Sequence, residues 1–354
     1  MSAKGQLSRR SVLKGAGAVA MGALLQPLHA VAVQAEPFSP AAQEQRQHLL
    51  NSYRDTLKSL IRRSRLPIID VEHHWGNRLP IKDLIEKMDA NDVALTWLGA
   101  NEGNGSQSSI DTCRSFPDRL VPTTIHGDGR RWHGHDLSVV QELDADVRSG
   151  QYFAMGEFEA RHYVSSTNNR DIHMPVDSES FHGVFRASEA TGVPFLLHHE
   201  AEDALLPEVE RMLSAYPQAN VVWCHVGRNR NPQTWTQFPT ADGVRRFIQK
   251  YPNLHFDVLQ SGPGSIFPPT QALESVLYDG SRSATLRSEW LKLFKDFPDR
   301  FLIGSDINTG RWPNYDQVMS RFRTSVLRVV PPQAAEQIAF KNAWRLMGGG
   351  VWQA

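Results

Sequence analysis

Leu66-Pro67-Ile68-Ile69-Asp70-Val71-Glu72-His73-His74-Trp75 is a short run of strand formers that ends in four ionisable side chains. Strand alternation places Asp70, Glu72 and His74 on one face, with Val71 and His73 on the other. Three metal-competent groups are therefore expected to point the same way. Carboxylates and imidazoles crowded at a strand end are costly to bury unless something satisfies them, and a divalent cation does so for all of them at once. A hydrogen-bonded polar strand end would satisfy the same segment, so the metal reading depends on similar strand ends recurring downstream.

They do recur, within a regular alternation. After this first strand the pattern predicts strands over 93–98, 120–125, 152–158, 194–198, 220–224, 254–258 and 301–305. Helices are predicted over 81–90, 109–116, 136–149, 178–191, 205–216, 240–251, 288–297 and 314–327. Turns such as Phe116-Pro117-Asp118-Arg119 and Phe297-Pro298-Asp299-Arg300 lead from helix to strand. Eight strand-helix units over about 280 residues fit a closed (β/α)8 TIM barrel, an α/β single domain over 66–348, better than an open doubly wound sheet. No glycine-rich phosphate or dinucleotide fingerprint follows a strand. The longest irregular stretch, Gln260 to Ser283, follows the seventh strand at the end where barrel active sites lie, and is expected to form part of a lid or pocket wall.

Residues 36–65 read as a helical lead-in, with Leu49, Leu50, Tyr53, Leu57 and Leu60 at amphipathic spacing. Ahead of them, Ser8-Arg9-Arg10-Ser11-Val12-Leu13-Lys14 and a small-residue apolar run over 15–25 resemble a bacterial twin-arginine signal covering 1–35. That resemblance implies a periplasmic or secreted protein, handled by the twin-arginine export machinery. The run is too short to span a bilayer, so no stable membrane anchor is expected. The chain carries 38 basic and 38 acidic residues; loss of 1–35 removes four basic and no acidic ones, leaving 34 against 38. With no basic stripe among aromatics, nucleic-acid binding is not expected. Cys113 and Cys224 could pair in an oxidising compartment, although Cys224 sits mid-strand and reads as a small packed apolar residue.

The polar strand ends are Glu72 and His74, His126, Glu157 with Glu159, His198, His225 and Asp306. Together with Val193-Pro194-Phe195-Leu196-Leu197-His198, Val221-Val222-Trp223-Cys224-His225-Val226-Gly227, Phe301-Leu302-Ile303-Gly304-Ser305-Asp306 and Asn342-Ala343-Trp344-Arg345-Leu346, they resemble the amidohydrolase superfamily, in its amidohydrolase-related branch. The resemblance covers roughly Leu66 to Met347. Where the superfamily usually has Asp-x-His-x-His, this chain reads Asp70-Val71-Glu72-His73-His74, which looks like the Glu-x-His variant of decarboxylases such as gamma-resorcylate decarboxylase.

Carried over position by position, the resemblance implies that Glu72, His74, His198 and Asp306 surround one divalent metal, zinc or manganese. Asp306 would take the proton of the attacking water, and His225 would polarise a carbonyl. Glu157, Arg161 and Arg228 are candidates for orienting these groups or clamping a small-molecule substrate, as are Arg131 and His162 on rim loops. The implied activity is an exported hydrolase of a carbonyl ester, lactone or amide. A nonoxidative decarboxylase of a small aromatic or enoic acid is the alternative, and a non-catalytic ligand-binding barrel a minor one. A homodimer is compatible with what similar proteins do.

Overall fold

The architecture follows from eight parallel strands that pair side by side around a closed ring. In a computed structural model describing residues 38–76, 80–164, 170–280 and 283–353, the strands are β1 (Ile68–Trp75), β2 (Val93–Ala100), β3 (Leu120–Ile125) and β4 (Met155–His162), followed by β5 (Phe195–His199), β6 (Val221–Trp223), β7 (Leu254–Asp257) and β8 (Phe301–Leu302). Parallel ladders join β1 to β2 to β3 and β4 to β5 to β6 to β7 to β8. Isolated parallel bridges, Thr123 with Ala154 and Gly127 with Phe158 on one side, Asp70 with Ile303 and His73 with Ile307 on the other, close the two remaining seams. The result is a (β/α)8 barrel, as the alternation of patterns predicts, and Glu36–Ala354 forms one compact unit. The expected export signal over 1–35 lies outside the described residues.

Local chemistry explains the outer helices. The lead-in forms α1 (Pro40–Arg62), capped by the Ser39 hydroxyl, which accepts from the Ala42 N–H, with Pro40 where a missing N–H costs nothing. Its buried stripe of Leu50, Tyr53, Leu57 and Leu60 joins the core, with the Tyr53 ring edge-on to Phe153 at 5.7 Å. There the Tyr53 hydroxyl donates to the Leu120 carbonyl at 3.1 Å and Arg46 donates to that of Tyr152 at 2.6 Å. Helices Leu137–Arg148 and Ala241–Lys250 start on Asp136 and Thr240 caps, and Glu179–Thr191 ends on Gly192 in the left-handed region.

Two departures from the predicted elements matter for function. The fourth strand runs over Met155–His162, past its expected end at 158, so Glu159 joins Glu157 within the strand. In β1, Asp70 registers on Thr96 and His73 on Leu98, three residues against two, so a bulge interrupts the alternation. Asp70 therefore leaves the face it was expected to share with Glu72 and His74. Its carboxylate instead accepts the Ser305 N–H and hydroxyl, at 2.8 and 2.7 Å. The stretch after β7 forms a small hairpin, Ile266–Phe267 against Ala272–Leu273. Both cysteines are free and buried.

The last helical segment holds β8 in place. Asn342 is buried, and its amide donates to the Pro298 and Phe301 carbonyls at 2.8 Å each. Asn342→Ala leaves both acceptors unpaired, and a loss of about 1–3 kcal/mol in unfolding free energy is expected by denaturant titration. A change below a few tenths of that would show that water replaces the amide there.

Candidate metal centre

The C-terminal strand ends converge on a cavity of about 290 Å³ whose wall includes His74, Glu157, His198 and Asp306. Glu72, His74, Glu157 and Asp306 each offer a ligand atom within 4.8 Å of the others. The His74 Nε2 lies 3.1 Å from Asp306 Oδ1, 3.5 Å from Glu157 Oε2 and 4.0 Å from Glu72 Oε1. A second group, Glu157, His198 and His225, shares the Glu157 carboxylate with the first. His198 Nδ1 is hydrogen-bonded to Glu157 Oε1 at 2.7 Å, and His225 Nε2 stands 3.5 Å from the same oxygen.

The structure thus brings together three of the four expected ligands, Glu72, His74 and Asp306, and places Glu157 where the fourth was expected. His198 stands one carboxylate away, its Nε2 turned towards Glu200 at 3.9 Å. His225 Nε2 is central, 3.8 Å from Glu72 Oε1 and 3.7 Å from Asp306 Oδ2. Glu157, already within the predicted fourth strand, takes this position because β4 directs its side chain among the histidines, where His198 and His225 approach it.

Close packing fixes these groups. The His126 ring stacks on His74 at 4.1 Å, and its Nδ1 accepts the Glu157 N–H at 2.7 Å. A Cβ at Gly99 would stand 2.3 Å from the His126 ring, so only glycine leaves room for it. His225 and Asp306 both adopt positive φ, 59° and 49°, a strain of about 1–3 kcal/mol each that is repaid by neighbouring bonds. For His225 one of those bonds runs from its N–H to the Asp257 carboxylate, at 2.8 Å.

Electrostatics favour a cation. Burial, then the neighbouring Glu157, hold Glu72 well above the usual carboxylate range. Glu157 is itself opposed by burial, but His198, His225 and His74 outweigh that and hold it well below. Burial lowers His74 and, with His74 beside it, brings His126 down to about 4. Three carboxylates meet one guanidinium, Arg311, which pairs with Asp306. Both oxygens of Glu72 and the Nε2 atoms of His74, His198 and His225 are buried without a hydrogen-bond partner among the described residues. Crowded carboxylates, with oxygen and imidazole donors left unpartnered among the described residues, fit a divalent cation.

The remaining candidates divide. Arg161 is committed to Glu202 and Asp171 and lies over the Tyr163 ring at 3.7 Å, while Arg131 pairs with Glu142 and Asp136. Neither lines the cavity, because acidic neighbours hold each guanidinium elsewhere. His162 stacks on His198 at 4.9 Å and does line it. Arg228 lies in an adjoining cavity. Sequence reading missed Asp257 and Arg311. Asp257 ends Leu254-His255-Phe256-Asp257 as the other strands end, a signal available beforehand; Arg311 sits in a loop with no such mark.

Glu157→Gln, which keeps the shape and removes the charge, is expected to lower bound divalent metal by about tenfold or more, measured by elemental analysis after zinc loading. Arg161→Ala should leave metal content unchanged. Equal metal in wild type and Glu157→Gln would remove Glu157 from the centre.

Among curated proteins, none matches the sequence. Among solved structures, a 2,6-dihydroxybenzoate decarboxylase complexed with 2,6-dihydroxybenzoate is 14% identical over 80% of this chain and 99% of its own, with a TM-score of 0.49. A probable 2-pyrone-4,6-dicarboxylic acid hydrolase from Acinetobacter baumannii is 16% identical over 79% and 99%, at a TM-score of 0.48. An amidohydrolase from Burkholderia multivorans with bound zinc is 15% identical over 79% and 99%, at 0.47. Residues 99–349, more than half the chain, match the family described as Amidohydrolase. The chain belongs to that family, whose superfamily members are metal-dependent enzymes.

Proposed function

We propose that this protein is an exported, metal-dependent hydrolase of a carbonyl ester, lactone or amide. The observation that carries the reading is the convergence of Glu72, His74, Glu157 and Asp306 within 4.8 Å of one another at the mouth of the barrel. Zinc or manganese suits a donor set that mixes carboxylates with imidazole. When bound, such a cation polarises a carbonyl and makes water more acidic.

The chain's own residues do the rest. Asp306, placed between His74 Nε2 and His225 Nε2, takes the proton that the attacking water gives up. His225, held by its N–H bond to Asp257, presents Nε2 to the oxygen on which charge develops. Glu157 orients the His198 ring through the Nδ1 bond, and His126 braces His74 from behind.

Two further readings rest on specific observations. Sharing of Glu157 between two donor groups favours a second cation on the His198 and His225 side, so about two metal ions per chain would support a pair and about one the single site. The glutamate at position 72 makes the centre more anionic than two histidines would, which favours holding a carboxylated acid and supports a decarboxylase.

Metal-loaded protein incubated with ester and lactone panels beside hydroxybenzoates is expected to release acid from the former without carbon dioxide. Carbon dioxide from hydroxybenzoates without ester or lactone turnover would assign the decarboxylase instead. Asp306→Asn and His74→Ala should each abolish turnover while the chain stays folded by circular dichroism, and retained activity in either would remove the site. For export, replacing Arg9 and Arg10 by lysine should leave the protein in the cytoplasm on fractionation; periplasmic protein from that variant would rule out the twin-arginine route.

A further inference from the structure

Another group of potential ligands includes a sulfur. Glu72, Cys224 and Asp257 each place a ligand atom within 4.8 Å of the others, and all three are buried. They come from three neighbouring parts of the ring: Glu72 from β1, Cys224 from the short turn after β6, and Asp257 from the end of β7. Cys224 and Asp257 lie behind the wall of the cavity, which neither of them lines. Gly304 makes room here, since a Cβ on it would stand 3.1 Å from Glu72 Oε2 and from the Asp257 Cβ. The Glu72 carboxylate is therefore divided. Its Oε1 is the oxygen near His74 and His225, at 4.0 and 3.8 Å, while Oε2 turns to the Gly304 side.

Bonds within the chain do not balance this group. Asp257 accepts the His225 and Leu259 N–H groups, at 2.8 and 2.9 Å, and the Cys224 thiol has that carboxylate and the Val222 carbonyl, at 3.9 Å, as its acceptors. Glu72 has no such donor: it is 1% exposed, and both of its oxygens lack a hydrogen-bond partner among the described residues. Within 4.0 Å of Glu72 or Asp257 the described residues offer only the His74 and His225 imidazoles, and Arg228 and Arg311 act on Glu72 from beyond ion-pair distance. A carboxylate buried without a donor is costly, and here a second carboxylate and an electron-rich sulfur face it. One cation relieves all three. The sulfur decides which kind, because thiolate favours zinc or cobalt(II) over magnesium, calcium or manganese.

We propose that Glu72, Cys224 and Asp257 form a buried site for a thiophilic divalent cation, with Glu72 bridging it to the metal centre through its two oxygens. On binding, the Cys224 S–H bond breaks, its proton leaves to solvent, and the sulfur lone pair forms the bond to the metal with no change of oxidation state. The site is separate from a cation pair on the His198 and His225 side, because it uses neither histidine. It rests on the metal reading of the centre for the Glu72 bridge alone, since Cys224 and Asp257 belong to neither of the donor groups assembled there.

The test is near-ultraviolet absorption of the full-length protein loaded with cobalt(II), with cobalt content measured alongside, in wild type, Cys224→Ser, Cys113→Ser and Glu157→Gln. Wild type is expected to show a thiolate-to-cobalt charge-transfer band, and Cys224→Ser to lose it together with about one cobalt ion per chain. Cys113→Ser leaves Cys224 as the only thiol, so a band retained there assigns the ligand even if Cys224→Ser fails to fold. A band retained in Glu157→Gln, where the centre is weakened, supports a site with its own ligands. Cobalt bound by wild type without the band overturns the proposal and leaves the metal centre standing. A band that survives Cys224→Ser, or disappears in Cys113→Ser, also overturns it. Protein that binds no cobalt at all overturns both.

Discussion

Asp70 accepts two hydrogen bonds from Ser305 across the seam where the last strand meets the first, between residues 235 apart in the chain. It also accepts the Glu72 N–H at 3.3 Å, so one carboxylate fixes the backbone on both sides of the closure. Because Glu72 and Asp306 directly follow these contacts, the bonds that complete the ring also aim the two carboxylates at one another. The Asp306 N–H in turn donates to the Glu72 carbonyl, at 2.9 Å. Gly304 permits the approach: a Cβ there would stand 3.1 Å from both Glu72 and Asp257. Closing the barrel and assembling the centre are thus parts of one packing arrangement.

The centre is held by restraint more than by flexible adjustment. His126, braced by Gly99, limits His74, and Asp257 limits His225 through its backbone N–H. The positive φ at Asp306 and His225 persists because buried partners on several strands leave those residues no alternative. Such preorganisation suits a site whose work is charge stabilisation, since groups already in place need not reorganise when charge develops. It also explains why polar groups stay so deeply buried: the donors are set against one another and against a cation's place, where water would otherwise satisfy them.

The two cavities carry opposite charge on either side of Asp306. Carboxylates gather on the metal side and unpaired guanidiniums on the other, with the Asp306–Arg311 pair where they meet.

Much of this was legible in the residues. Eight repeats of strand and helix patterning imply a barrel because parallel strands with covering helices have few other ways to close, and strand ends marked by His or acid place Glu72, His74, His198, His225 and Asp306 on one rim. Alternation, however, is a local rule, and it failed where the β1 bulge turned Asp70 to Ser305. The extent of β4, which carries Glu159 and Arg161 into the ladder, depends on its pairing with Phe195–His199 and on the short strand Ile172–His173 beside it, neither of which its own residues encode. Likewise nothing in Arg161 or Arg228 distinguishes them in sequence. One meets Glu202 and Asp171 and is neutralised; the other is buried, bonds to Ser261 and forms no ion pair among the described residues, because charge partners are chosen by distances that only the closed ring creates.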